Sequence, residues 1–167
     1  MIAPALFDRV EGGAELEYTP DGTAKGRALR DELNWDETLL DVDAALEQLK
    51  TQYEKVGLVG YCFGGSVAWL AATKLKGLEC VVGYYGGQIT EFSNETPHCP
   101  VMLHFGEQDG MIPMTDVDVI SKSHPDVSVY TYPAGHGFNC TDRSSYHEVS
   151  ANLALERSLA WLATNFG

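Results

Sequence analysis

A three-layer α/β fold, with a mostly parallel sheet covered by helices on both faces, is predicted by three observations. Short apolar runs alternate with helical patterns over the second half of the chain. Those runs are continuous rather than alternating, as expected for strands buried on both faces. A glycine-rich turn joins one run directly to a small-residue helix, the strand–turn–helix unit of a parallel sheet. With 167 residues and 44% hydrophobic content, the chain can bury a core without disulfide or metal.

In chain order, residues 2–6 offer at most the tail of one strand, and residues 19–27 (TPDGTAKGR) carry the turn dipeptides of a surface loop. Residues 36–50 place Leu39, Leu40, Val42, Ala45, Leu46 and Leu49 on one helical face, behind a carboxylate-rich start at Asp36 and Glu37 that suits the helix dipole. Residues 55–60 read as a strand, followed by a helix to residue 73. Further strands are predicted over 80–85 (CVVGYY), 101–105 and 127–132. A helix over 114–123 follows Pro113, and another over 144–165 carries Leu153, Leu155, Leu159, Trp161 and Leu162 at helical spacing. No repeat or composition break divides the chain, so residues 1–167 are expected to form a single domain. The sheet is reduced at its amino-terminal side, and the strand over 55–60 is expected to lack a neighbour on one side.

Charge narrows the partners. The excess of 24 acidic over 11 basic residues gives a formal charge of −13, which repels nucleic-acid phosphates and anionic membrane surfaces. A small anionic substrate remains compatible, because screening confines that field to about 8 Å and one arginine can dominate a pocket. Cys62, Cys80, Cys99 and Cys140 show no C-x-x-C pair, so a reduced, cytoplasmic setting without disulfides is expected. His98, Cys99 and His104 lack metal-ligand spacing, and no metal or organic cofactor is predicted.

The turn Gly60-Tyr61-Cys62-Phe63-Gly64-Gly65 has the form of a nucleophile elbow with a thiol in place of a hydroxyl. Glycines beside the nucleophile relieve crowding, and the following helix start favours thiolate. Taken alone, the motif also fits a small buried cysteine. Downstream, Asp109 and His136 each follow a predicted strand, and the order nucleophile, acid, histidine is that of α/β-hydrolases. His136 would then shuttle the thiol proton, and Asp109 would fix its tautomer.

The segments VGYCFGGSVAWLAA, VVGYYG, CPVMLHFGEQDGMIP, YPAGHGFNC and ALERSLAWL resemble the dienelactone hydrolase (carboxymethylenebutenolidase) family. The resemblance implies an α/β-hydrolase that opens small lactone or ester substrates, giving maleylacetate-type products in aromatic-compound breakdown. It makes Cys62 the nucleophile, Asp109 and His136 its partners, and the Phe63 N–H an oxyanion donor. The segment PALFDR places Arg9 where the family holds the substrate carboxylate, a task suited to a bidentate guanidinium. Arg9 as an exposed solubilising charge is the alternative. Where some members carry a second arginine after the histidine, this chain has Cys140. Arg143 could serve instead, or act as a solvated first-turn charge of the next helix. Tyr84 or Tyr85 would line the pocket, with packing as the default role for either.

Relative to the family, the chain starts after the first strands, a glutamate that controls the cysteine proton and one oxyanion loop. Losing one oxyanion donor costs about 10²–10³ in rate, roughly 3–4 kcal/mol. Slow turnover is therefore expected, together with self-association through an exposed sheet edge or exchanged elements. A catalytically impaired module that self-assembles or binds is the competing expectation.

Overall fold

A computed structural model describes residues 1–167. The chain divides into two compact units, Met1–Glu54 and Lys55–Gly167, within the stretch expected as one domain. In the first, a 3-10 turn at Leu6–Arg9 precedes α1 (Pro20–Glu32) and α2 (Trp35–Lys50). Residues 2–6 form no strand. The loop expected over 19–27 is instead the start of α1: Thr19 Oγ1 caps the Gly22 N–H at 3.1 Å and Pro20 occupies the first helical position. Residues that punctuate a turn also open helices, and here the second use prevails. Asn34 caps α2 through the N–H groups of Asp36 and Glu37. Leu39, Val42 and Leu46 are buried as expected, whereas Leu40 lies off that stripe at 61% exposure.

The second unit carries a four-stranded, all-parallel sheet in the order β1 (Leu58–Tyr61), β2 (Val81–Tyr84), β3 (Val101–Gly106), β4 (Ser128–Tyr132). Every residue of β2 and β3 is buried, and the flanking strands are partly open. Helix α3 (Phe63–Lys74) buries Gly65 through Thr73 without interruption, with Trp69 fully enclosed. Helix α4 (Met114–Ser123) has the bounds predicted for it, and α5 (Glu148–Phe166) closes the chain.

Side-chain alternation along β2 places α3 and α5 on opposite faces. A methyl group at Gly83 would approach the backbone of Gly65 in α3, whereas Tyr84 bonds Ser158 in α5. The three layers are therefore helix, sheet and helix. The face α5 turns to the sheet differs from the predicted one: Ala151, Ala154 and Ser158 are buried, while Leu153, Leu155 and Leu159 are 39%, 49% and 57% exposed. Small residues let the helix approach the strands closely and leave the long side chains outside. β1 is an edge strand, as expected, and Val59 and Tyr61 are 40% and 47% exposed there.

Candidate active site

The carboxyl ends of β1, β3 and β4 bring three distant residues together. Cys62 follows β1 as the N-cap of α3 and adopts φ 54°, ψ −119°, a positive-φ conformation that L-residues enter only under constraint. The constraint is backbone crowding at the elbow. A methyl group at Gly60 would strike the Gly64 carbonyl, and one at Gly65 would lie 2.6 Å from the Tyr84 carbonyl oxygen. A methyl group at Gly64 would meet nothing within 4 Å, so crowding requires glycine at positions 60 and 65 but not at 64. The Cys62 N–H bonds the Tyr84 carbonyl at 2.9 Å, which anchors the turn to β2.

His136 follows β4 and places Nε2 3.2 Å from Cys62 Sγ. Its Nδ1 lies 2.7 Å from Asp109 Oδ2, on the loop after β3. Asp109 Oδ1 accepts the Met111 and Ile112 N–H groups at 2.8 and 3.2 Å, and its carboxylate is fully enclosed. The Ser145 hydroxyl donates to the His136 carbonyl at 2.6 Å and pins the histidine loop.

The electrostatics follow from these contacts. Burial pushes the Asp109 carboxyl up, but the His136 hydrogen bond and two backbone N–H groups outweigh it and hold it below its ordinary range. An ionised Asp109 only accepts, so Nδ1 of His136 carries the proton between them. Burial pulls His136 down, but its hydrogen bonds to Asp109 and Cys62 and their negative charges raise it to about 9. Burial likewise pushes the Cys62 thiol up, and His136, the Phe63 N–H and the Arg143 charge together bring it below its ordinary value. All three shifts favour a thiolate–imidazolium pair backed by a carboxylate.

The remaining predicted residues divide. Phe63 directs its backbone N–H at the cysteine sulfur from the first turn of α3, where it favours the thiolate. Arg143 is not a first-turn charge, because α5 begins at Glu148; its side chain lies across Gly137, and its charge acts on both Cys62 and Tyr85. Arg9 holds a carboxylate of its own chain: Nε and Nη2 grip Asp41 at 2.7 and 2.8 Å, with Glu37 3.8 Å away. A substrate carboxylate at Arg9 would have to displace Asp41.

Tyr84 does not line a pocket. It is 1% exposed, with its hydroxyl on Ser158 Oγ at 2.7 Å, and serves the core. Tyr85 takes the place by the site: it too has positive φ (40°), and its ring centroid is 5.2 Å from that of His136. Strand register carried the missed signal, since pairing Tyr61 with Tyr84 puts Cys62 beside Tyr85.

The parallel sheet, the elbow and the order Cys62, Asp109, His136 define an α/β-hydrolase-like protein. The profile of the Dienelactone hydrolase family matches residues 1–166, and the chain belongs to that family. It is 34% identical over 175 residues to a Synechocystis sp. protein assigned as a carboxymethylenebutenolidase, covering 93% of this chain and 71% of that one. It is 38% identical over 132 residues to the carboxymethylenebutenolidase of Pseudomonas putida, covering 74% of this chain and 56% of that enzyme. A crystal structure from Klebsiella pneumoniae subsp. pneumoniae, assigned to the dienelactone hydrolases, superposes with TM-score 0.84 at 26% identity, over 96% of this chain and 73% of its own. No helix is long and apolar enough to cross a membrane.

Proposed function

We propose that the protein is a thiol-dependent hydrolase of dienelactone or a related small lactone or ester, yielding maleylacetate-type products in aromatic-compound breakdown. The observation that carries this reading is the Cys62–His136–Asp109 chain of contacts, 3.2 and 2.7 Å long, at the strand ends. The Cys62 thiolate attacks the carbonyl carbon, and the oxyanion forms against the Phe63 N–H. As the ring C–O bond breaks, His136 gives its proton to the leaving oxygen and a thioester remains. Water then attacks the thioester while His136 takes its proton. Collapse breaks the C–S bond, releases the carboxylate and restores the thiolate. Asp109 holds the imidazole and stabilises its cation throughout. Arg143 steers a substrate carboxylate towards the thiolate, and Tyr85 supplies an apolar wall. The four free cysteines fit a reduced, cytoplasmic setting.

The test is hydrolysis of dienelactone, followed by ultraviolet absorbance, with wild type and Cys62→Ala. Turnover that disappears in the variant supports the reading; equal rates in both, or none in wild type, reject it.

The open edge at β1, with Val59 and Tyr61 exposed, favours a second property. Unpaired strand groups beside apolar side chains invite another copy of the chain. Light scattering at micromolar concentration is expected to show a mass above one chain, and a monodisperse monomer would refute self-association.

A further inference from the structure

Beneath the strand ends, the core on the α5 side contains a continuous polar network that the proposed reaction does not use. His104, fully buried in β3, has Nδ1 2.8 Å from the Tyr132 hydroxyl of β4 and Nε2 3.0 Å from Ser158 Oγ of α5. Ser158 also meets the Tyr84 hydroxyl of β2 at 2.7 Å. At the other end, Arg157 Nη1 donates to the Tyr132 hydroxyl at 3.1 Å, and its guanidinium lies 4.2 Å above the Tyr130 ring.

A guanidinium only donates, so the Tyr132 oxygen accepts from Arg157 and its own proton is free for His104 Nδ1. The neutral His104 then carries its proton on Nε2 and gives it to Ser158. Burial and the nearby Arg157 charge lower His104 to about 3, consistent with a neutral ring throughout the working range.

A polar chain in an apolar core is a poor way to gain stability, since similar apolar groups would often stabilise as well or better. It does fix geometry, because every link must be satisfied together. Here the fixed element is Tyr132. Its carbonyl accepts the N–H of Glu107, two residues before Asp109, and that of Ala134, two before His136, both at 2.7 Å. The Gln108 N–H bonds the Ala134 carbonyl at 3.0 Å. Both loops bearing the polar partners of Cys62 thus hang from one residue, whose side chain the network holds from below.

We infer that Tyr132, His104 and Ser158 are positioning residues that set the height of the Asp109 loop against the His136 loop. The inference rests on the triad reading, so its test uses a signal that needs no turnover. The rate of Cys62 alkylation by iodoacetamide, followed by peptide mass spectrometry across pH, reports the thiolate that a correctly placed imidazolium stabilises. Tyr132→Phe and Ser158→Ala are expected to slow alkylation of Cys62 at neutral pH by about tenfold. Both are expected to lower kcat for dienelactone by about 10–100-fold with KM little changed, as for a small misplacement of reacting groups. Ser158→Thr, which keeps the hydroxyl, is expected to restore both.

Ile120→Val in α4, a buried change outside the network, should move neither. Circular dichroism checks the fold, and Ser158→Ala carries the test should Tyr132→Phe not fold. If wild-type Cys62 is unusually reactive but both network variants match it in alkylation and kcat, the positioning role is refuted while the triad stands. A wild-type Cys62 no more reactive than Cys99 would refute the triad reading and this inference with it.

Discussion

His136 and His104 both stand withdrawn from water near the carboxyl ends of neighbouring strands, yet their proton affinities are driven in opposite directions. Burial lowers each. At His136 a carboxylate on one nitrogen and a thiol on the other more than reverse it, to about 9. At His104 the partners are two neutral hydroxyls, and the Arg157 cation adds to the fall towards about 3. The partner set, rather than depth, makes one ring a proton carrier and the other a strut.

The largest effect should come from removing the feature that separates the two sites. Asp109→Asn replaces the carboxylate behind His136 with a neutral amide that can stabilise the wrong tautomer. By the arithmetic of related triads, kcat should fall about 10⁴-fold. The pH profile should change as well. Wild-type kcat/KM is expected to rise as the thiol of the pair ionises and to decline as pH passes about 9, where the imidazolium is lost. In the variant the alkaline limb should move to lower pH.

A smaller effect, on stability, tests the other histidine. An unfolded His104 binds its proton near pH 6.5, whereas the folded one resists it until about 3. Between those values the unfolded state holds more protons, so stability rises with pH and is lost as pH falls below 6.5, by at most about 1.4 kcal/mol per unit. His136 contributes with the opposite sign: its stabilisation is complete below 6.5 and is lost as pH rises through about 9. Urea unfolding between about pH 4.5 and 6.5 should therefore show a slope that His104→Leu flattens. The variant should also be less stable throughout, because Tyr132 and Ser158 lose a partner.

The smallest effect concerns Arg143, whose charge is the last of the influences lowering the thiol. Arg143→Gln should raise KM for a carboxylate-bearing lactone by about tenfold, the scale of one charge-assisted hydrogen bond. A neutral aryl ester should change little. Equal losses on both substrates would assign Arg143 to the packing of Gly137 instead.

The two sites also differ in how legible they were in the sequence. Cys62, Asp109 and His136 each follow an apolar run that ends in small or turn-forming residues, so strand ends and chain order sufficed to assemble them. The same pattern located β3 and α4 closely. His104 carried no such mark: it sits inside VMLHF, and its partners Tyr132 and Ser158 lie 28 and 54 residues further along. Only the fold unites them. The leucines of α5 were misplaced for a related reason, since the sheet-facing side is set by Ala151, Ala154 and Ser158 packing closely rather than by the largest apolar residues. Tyr84 and Tyr85 were separable in principle by register, and Thr19–Pro20 by its capping chemistry. The engagement of Arg9 by Asp41 depends on a long-range approach that no local pattern encodes.

An NMR titration of the histidine rings, assigned with His104→Leu and Asp109→Asn, tests the opposition between the two sites most directly. His136 is expected to stay protonated well above neutrality and to lose its proton near 9, while His104 remains neutral down to about 3. If His136 instead titrates near 6.5 in wild type and is unmoved by Asp109→Asn, the charged pair does not form and the two histidines are not opposed.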